Sequence, residues 1–296
     1  PHRTFSLSLA EGVMVNAPLE LRFLSPLTIF HSYEAYKTYT DYNEDLGHDN
    51  KDPSDPDYDT IYDSTGGSRI GSYLGVKIEW QPIKYLRLYG LYAMDQLQLG
   101  VEKSHWEEDL TPDAMAFQGG VEVSVPAKKG YWQFGLEGVY TYPYMYVLWD
   151  KHWSFYKEVP EMDRMKLRYW TGTPFGPDSI AGIFWAGFHA GRNWSLSFSF
   201  TVSAQGERSG LDVFDRDDIP DNTYRPTHMV YDVTSPATGV PVYTYTAKLS
   251  GKWAPFKWLD FSIQPGYRFI NNLNHELGRS VQGFELAFSA RLRPVF

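Results

Sequence analysis

The 296-residue chain contains no cysteine, which excludes disulfides, thiolate metal sites and cysteine nucleophiles together. It also lacks any uncharged apolar run near the roughly 20 residues that a membrane-spanning helix requires, so helices cannot carry it across a bilayer. Basic residues are the minority, 27 against 36 acidic ones for a formal net charge of -9, and no Lys/Arg-rich block interleaves with aromatic residues. A nucleic-acid partner is therefore not expected. The eight histidines are scattered, with neither a His-Glu-x-x-His spacing nor a Gly-x-Ser-x-Gly elbow, so the chain is not expected to be an enzyme. Pro1 stands where an initiator methionine and leader would, and the chain is expected to be processed or truncated at its N-terminus.

What is abundant points elsewhere. Hydrophobic residues make up 43% of the chain and aromatic residues 17%, which excludes a disordered polypeptide. A mean hydropathy of -0.41 does not contradict membrane insertion, because a β-barrel wall needs only every second residue apolar.

Period-two alternation dominates. Met115, Phe117, Gly119, Val121, Val123 and Val125 share a face opposite Ala116, Gln118, Gly120, Glu122 and Ser124. After a short turn, Trp132, Phe134, Leu136, Gly138 and Tyr140 alternate with Gln133, Gly135, Glu137 and Thr141, as the return strand of a hairpin does. The unit recurs through 69–94, 180–202, where Leu196, Phe198, Phe200 and Val202 alternate with Ser197, Ser199 and Thr201, and 243–267. A first hairpin is expected to pair Phe5, Leu7 and Leu9 with Leu19, Leu21 and Phe23 across Asn16-Ala17-Pro18. Long polar connections near 31–68, 98–112, 145–178, 205–240 and 271–280 alternate with short turns. That asymmetry is the one expected of short periplasmic turns and long extracellular loops. The last strand alternates Phe284, Leu286, Phe288, Ala290 and Leu292 with Glu285, Ser289, Arg291 and Arg293, and ends on Phe296. This resembles the C-terminal signal by which the barrel-assembly machinery recognises bacterial barrels.

The expected fold is all-β: one domain over 1–296, an antiparallel transmembrane β-barrel of about twelve strands, integral to a bacterial outer membrane and in contact with its lipid and lipopolysaccharide. Parity then sorts the functional candidates. Lys77, Glu79, Arg87, Glu122, Gln133, Glu137, Lys248, Arg268, Arg291 and Arg293 would face the lumen, either paired as a plug or setting the preference of an aqueous path. In the 145–178 connection Trp149, Trp153, Tyr156, Arg168 and Trp170, with Tyr146, His152 and Tyr169 nearby, supply rings and hydrogen-bonding groups suited to the faces and hydroxyls of sugars. An interfacial aromatic belt or a loop packed into the barrel mouth accounts for the same residues. Asp41, Asn43 and Asp45 have the alternating offsets of a calcium loop, but the EF-hand glycine would fall at Leu46 and the twelfth position is Asp52. A solvated acidic loop is the reading; calcium bridging to an acidic glycan is the alternative, and no other cofactor is implied.

Three stretches resemble the Wzi-like capsule-assembly family of outer-membrane proteins: Leu21-Arg22-Phe23-Leu24-Ser25-Pro26-Leu27-Thr28-Ile29-Phe30-His31; Gly75 to Pro82 continuing to Leu88-Tyr89-Gly90 and Asp95; and Gly172-Thr173-Pro174-Phe175-Gly176-Pro177-Asp178-Ser179. The family has a larger barrel and a periplasmic helical bundle, so the chain reads as a shortened relative or one missing its beginning. The resemblance implies binding of surface polysaccharide at external loops without bond-making chemistry. A porin-like channel for small polar solutes and a structural subunit of an envelope complex remain the alternatives.

Overall fold

The computed structural model describes residues 4–15, 70–96, 114–147, 155–160, 166–191, 193–209 and 235–292. They form twelve strands: β1 (Thr4–Val15), β2 (Ile70–Ile83), β3 (Leu86–Gln96), β4 (Ala114–Ala127), β5 (Gly130–Thr141), β6 (Tyr156–Pro160), β7 (Lys166–Trp170), β8 (Ser179–Ala190), β9 (Trp194–Gln205), β10 (Val242–Phe256), β11 (Leu259–Asn271) and β12 (Ser280–Leu292). A single 3-10 turn at Leu273–His275 interrupts the last connection. Ten strands make one antiparallel sheet in the order β1-β2-β3-β4-β5-β8-β9-β10-β11-β12. Among the described residues no pairing joins β1 to β12, which are its two edges.

One expectation changes. Among the described residues ten of the twelve strands share the large sheet, and β6 and β7 pair with each other, a ribbon inside the connection that the sequence reads as a plain loop. At five residues each they are much shorter than the strands of the large sheet, which run from 11 to 15 residues. The described partner of β1 is β2, in a continuous register from Thr4↔Gln81 to Val15↔Ile70. The hairpin expected between Phe5–Leu9 and Leu19–Phe23 falls on residues 16–23, outside the described residues.

The connections alternate in length as expected. Residues 84–85, 128–129, 191–193 and 257–258 turn tightly, whereas 16–69, 97–113, 142–178, 206–241 and 272–279 are longer. Since every neighbouring pair in the sheet is antiparallel, all short turns lie at one rim and all longer connections at the other. Gly191, with φ 55, supplies the left-handed residue that lets β8 reverse tightly into β9.

Apart from one-residue shifts near the ends of the β2–β3, β3–β4 and β10–β11 pairings, register carries one parity across the sheet. Ser6↔Glu79↔Tyr89↔Gly120↔Glu137↔Ile183↔Thr201↔Thr246↔Arg268↔Gly283 is a single row on one face. The next row, Leu7↔Ile78↔Gly90↔Gly119↔Gly138↔Gly182↔Val202↔Tyr245↔Phe269↔Gln282, lies on the other. Because the side-chain period is two, a one-residue slip anywhere would have exchanged the faces. The apolar face is not covered by a second layer: Leu7 is 57% exposed, Leu136 56%, Leu196 47% and Ile263 50%. Clusters of buried hydrophobic side chains lie instead on the opposite, polar face, against the 142–178 connection.

On that polar face three aromatic rings lie over directly opposed glycines: Tyr73 over Gly12, Tyr89 over Gly120 and Trp185 over Gly135. A Cβ at any of the three glycines would run into the ring. The missing side chain on one strand thus makes room for a ring from its neighbour, which shields the glycine's backbone.

Candidate functional site

The polar face divides into zones. Near the short-turn rim, β2 to β5 bring charges together in register. Lys77 Nζ lies 3.0 Å from Glu79 Oε1, Arg87 donates to the same carboxylate, and Arg87 Nη1 lies 3.6 Å from Glu122 Oε2. Tyr89 donates its hydroxyl proton to Glu137. Thr4, Ser6, Gln81, Lys84 and Ser124 border the same region, around an open cavity of about 500 Å³. Across the sheet Glu285 receives Arg268 at 2.9 Å and Lys248 at 3.8 Å, and Lys252 lies 3.6 Å from Asp260. Seven of the ten lumen candidates, Lys77, Glu79, Arg87, Glu122, Glu137, Lys248 and Arg268, are thus on one face and engaged with opposite charge or a hydroxyl. Arg291 stands on that face opposite Asp260 in the register. Gln133 shares the face, whereas Arg293 and Phe296 fall outside the described residues.

Between these charges, β9 presents Ser195, Ser197, Ser199, Thr201 and Ser203 on the polar face, opposite Lys252, Ser250, Lys248, Thr246 and Thr244 of β10. Gln264 donates to Ser250 at 2.7 Å, and the Ser262 and Ser289 hydroxyls are 2.7 Å apart.

The long-connection rim differs over β2 to β4. The inward side chains there are Tyr73, Leu91, Ala93 and Ala116, and onto them fold Met145, Tyr146 and Phe155 from the 142–178 connection. Met145 is fully buried, and Tyr144, Tyr146, Val147 and Phe155 nearly so. Phe155 meets Tyr73 edge-on with ring centroids 5.0 Å apart. Small inward residues at 93 and 116 leave space for these larger side chains. Burial pushes the Tyr146 phenol above its ordinary pKa, while the Thr173 backbone N–H, donating to its oxygen at 3.2 Å, opposes the shift.

A buried carboxylate organises the rim above this cluster. Asp178 has no exposed surface and a left-handed backbone with φ 53. Its carboxylate accepts from Arg208 N at 2.9 Å, Thr238 N at 3.0 Å and the Thr238 hydroxyl. Its own backbone N–H donates to Tyr142 O at 3.1 Å, and its carbonyl accepts from Gly206 N at 2.8 Å. Any side chain at Gly206 would collide with the carboxylate. Arg208 Nη1 reaches on to Tyr144 Oη at 3.2 Å, and Gln205 Nε2 donates to Phe175 O at 2.8 Å. The network continues to the last connection, where Asn272 donates to Pro241 O at 3.0 Å and accepts from Gly278 N at 2.9 Å. Three long connections are therefore fastened by hydrogen bonds to charged or backbone groups, the strong class in a buried setting.

The sugar-contact candidates separate. Trp170 is only partly exposed: its ring packs at 6.3 Å from Tyr146 and 6.1 Å from Tyr156, beside Gly176, where a Cβ would strike the indole. Tyr156 is half-buried in the same group, while Tyr169 faces outward. Arg168 stands opposite Glu158 in the β6–β7 register. Trp149, His152 and Trp153 lie outside the described residues, as do Asp41, Asn43 and Asp45. Among the described residues no group of three or more His, Asp or Glu side chains could hold a metal ion.

Sequence reasoning passed over Asp178, Arg208 and Thr238. Their spacing of 30 and 60 residues carries no periodic signal. The Gly-Pro-Asp-Ser run around Asp178 was the one local sign, since a short polar residue that tolerates φ > 0 belongs at a fixed turn. No protein-family model matches this chain, and no curated protein or solved structure is detectably similar to it.

Proposed function

We propose that this chain is an integral outer-membrane β-barrel that holds or organises surface polysaccharide at its long-connection rim, without catalysis. The observation that carries the reading is the parity-sorted sheet, whose uncovered face is apolar while the opposite face holds paired charges, hydroxyls and the folded-in connection. A contiguous apolar face across ten strands far exceeds the few hundred Å² that a water-exposed surface tolerates. Hydrocarbon is the partner that fits it. Main strands of 11 to 15 residues rise about 3.3 Å per residue, long enough when tilted to traverse an apolar band of roughly 25 Å.

Closure belongs to the same proposal. The tenth strand in the order runs opposite to the first, so β12 and β1 would meet antiparallel, as an up-and-down barrel requires. Binding of glycan is supported by the inward fold of the 142–178 connection, which fills the mouth over β2–β4, and by the likeness of three sequence runs to the capsule-assembly family. The polar candidates for contact are Tyr169, Arg168 and the rim residues around them.

The test is expression in a Gram-negative host. Recovery in the outer-membrane fraction with heat-modifiable gel migration, and surface polysaccharide co-purifying after detergent extraction, is the expected result. A detergent-free monomer in the aqueous extract overturns the barrel, and a clean barrel from an encapsulated host overturns the glycan. A second reading, a channel for small polar solutes, is favoured by the hydroxyls and charges that β9 to β12 present on the inner face. A steady pore for the wild-type chain in planar bilayers would select it.

A further inference from the structure

The inward fold of the 142–178 connection needs its own account, because a loop that served only to reach outward would not bury five of its side chains on the wall. Tyr144, Met145, Tyr146, Val147 and Phe155 all lie at or below 4% exposure. The wall surface they occupy is the polar face of β2–β4, which the barrel reading makes the lumen. What fastens them is not the wall alone. Arg208, from the connection after β9, bridges the Asp178 carboxylate through its backbone N–H and Tyr144 through its guanidinium. Thr238, farther along that connection, closes on the same carboxylate with both its backbone N–H and its hydroxyl. One buried carboxylate thus ties the strap from two separate stretches of a neighbouring connection.

We infer that the 142–147 and 155 segments form an occluding strap over the lumen mouth, and that the Asp178–Arg208–Thr238 cluster is the latch that keeps it shut. The inference rests on the barrel reading above. Its physical basis is that a buried carboxylate stripped of its donors, or the donors stripped of their carboxylate, is costly to retain. Breaking the latch therefore favours withdrawal of the carboxylate into water and release of the strap attached to it. The wall hydrogen bonds of β5 and β8 end at Thr141 and Ser179, so the strap can leave without unpairing them.

The experiment compares the full chain with Thr238→Val, Arg208→Ala and Asp178→Ala in planar bilayers, with Glu207→Gln as a control. Glu207 belongs to the same connection, and its side chain accepts from Val240 N at 3.0 Å, a bond that the amide oxygen of glutamine keeps. Heat-modifiable migration and vesicle flotation certify that each variant has inserted. Thr238→Val takes the hydroxyl donor from the carboxylate, whereas Arg208→Ala keeps its backbone N–H on Asp178 and loses the guanidinium bond to Tyr144 in the strap. The expected result is a nearly silent wild type and control, with open-state occupancy raised tenfold or more in Thr238→Val and in Arg208→Ala and further in Asp178→Ala. Inserted latch variants as silent as the wild type overturn the inference, as does a wild type that conducts steadily. Failure of the wild type to float with vesicles is a different result: it removes the barrel reading itself, and the strap with it.

Discussion

Two neighbours on β9 offer the sharpest test of the parity on which the membrane reading stands. Phe200 and Thr201 sit near the middle of the twelve-residue strand. Phe200 is on the uncovered apolar face, opposite Phe184 and Ala247; Thr201 is on the polar face, opposite Ile183 and Thr246. An arginine at the bilayer midplane of a barrel costs roughly 2–4 kcal/mol. Removing the phenyl ring from hydrocarbon adds about 1.5 kcal/mol or more. Phe200→Arg is therefore expected to lose at least about 3.5 kcal/mol, roughly 300-fold in the folding equilibrium. Thr201→Arg enters a watery interior in the same cross-strand row as Glu137, and its cost should stay under about 1 kcal/mol. In water, by contrast, Phe200 is already 38% exposed, and a surface substitution there would fall within about 0.5 kcal/mol. Urea unfolding in phosphatidylcholine vesicles, followed by the emission of the ten tryptophans, measures both variants. Equal losses, or a greater loss for Thr201→Arg, would refute the assignment of faces.

Three further outcomes follow from the same geometry. Gly135→Val should push the Trp185 indole off its glycine and destabilise the sheet by about 1–3 kcal/mol, with a red-shifted Trp185 emission; unchanged emission would mean that the ring does not lie there. For Tyr146, the folded-state pKa lies above the unfolded value of about 10, so above that pH the unfolded chain releases a proton that the folded one keeps. Its contribution to stability is intact below pH about 10 and falls as pH rises beyond it; Tyr146→Phe should flatten that part of the stability profile, and an unaltered slope would count against burial of the phenol. Arg87→Ala leaves Glu79 with Lys77 and takes the guanidinium away from Glu122, a surplus negative charge in the inner face. In a conducting Asp178→Ala background, reversal potentials under a KCl gradient should shift toward cation preference, and a shift toward anions would place Arg87 off the path.

Much of the sheet was legible in the residues because a strand whose two faces meet different surroundings alternates, and alternation needs no knowledge of partners. Leu196-Ser197-Phe198-Ser199-Phe200-Thr201 fixes its own two faces, and short turns such as Gly191–Asn193 announce where neighbouring strands join. Lys77, Glu79, Arg87, Glu122, Glu137, Lys248 and Arg268 share one face of the sheet for that reason alone. Their pairing was not legible, since Arg87 reaching Glu79 and Glu122 depends on register across three strands. A loop packed into the barrel mouth was one of the readings open for 145–178, but which residues fasten it was beyond local reading. Tyr146, Trp170 and Tyr156 look the same in sequence whether they face a sugar, a lipid headgroup or each other. Asp178 meets Arg208 and Thr238 only after the chain has turned through two strands and a long connection. Periodicity, a property of neighbours along the chain, determined which side of the wall each residue takes. The tertiary fold alone decided which distant polar groups would be buried together, because only there does satisfying a carboxylate's hydrogen bonds become a condition on where a loop can lie.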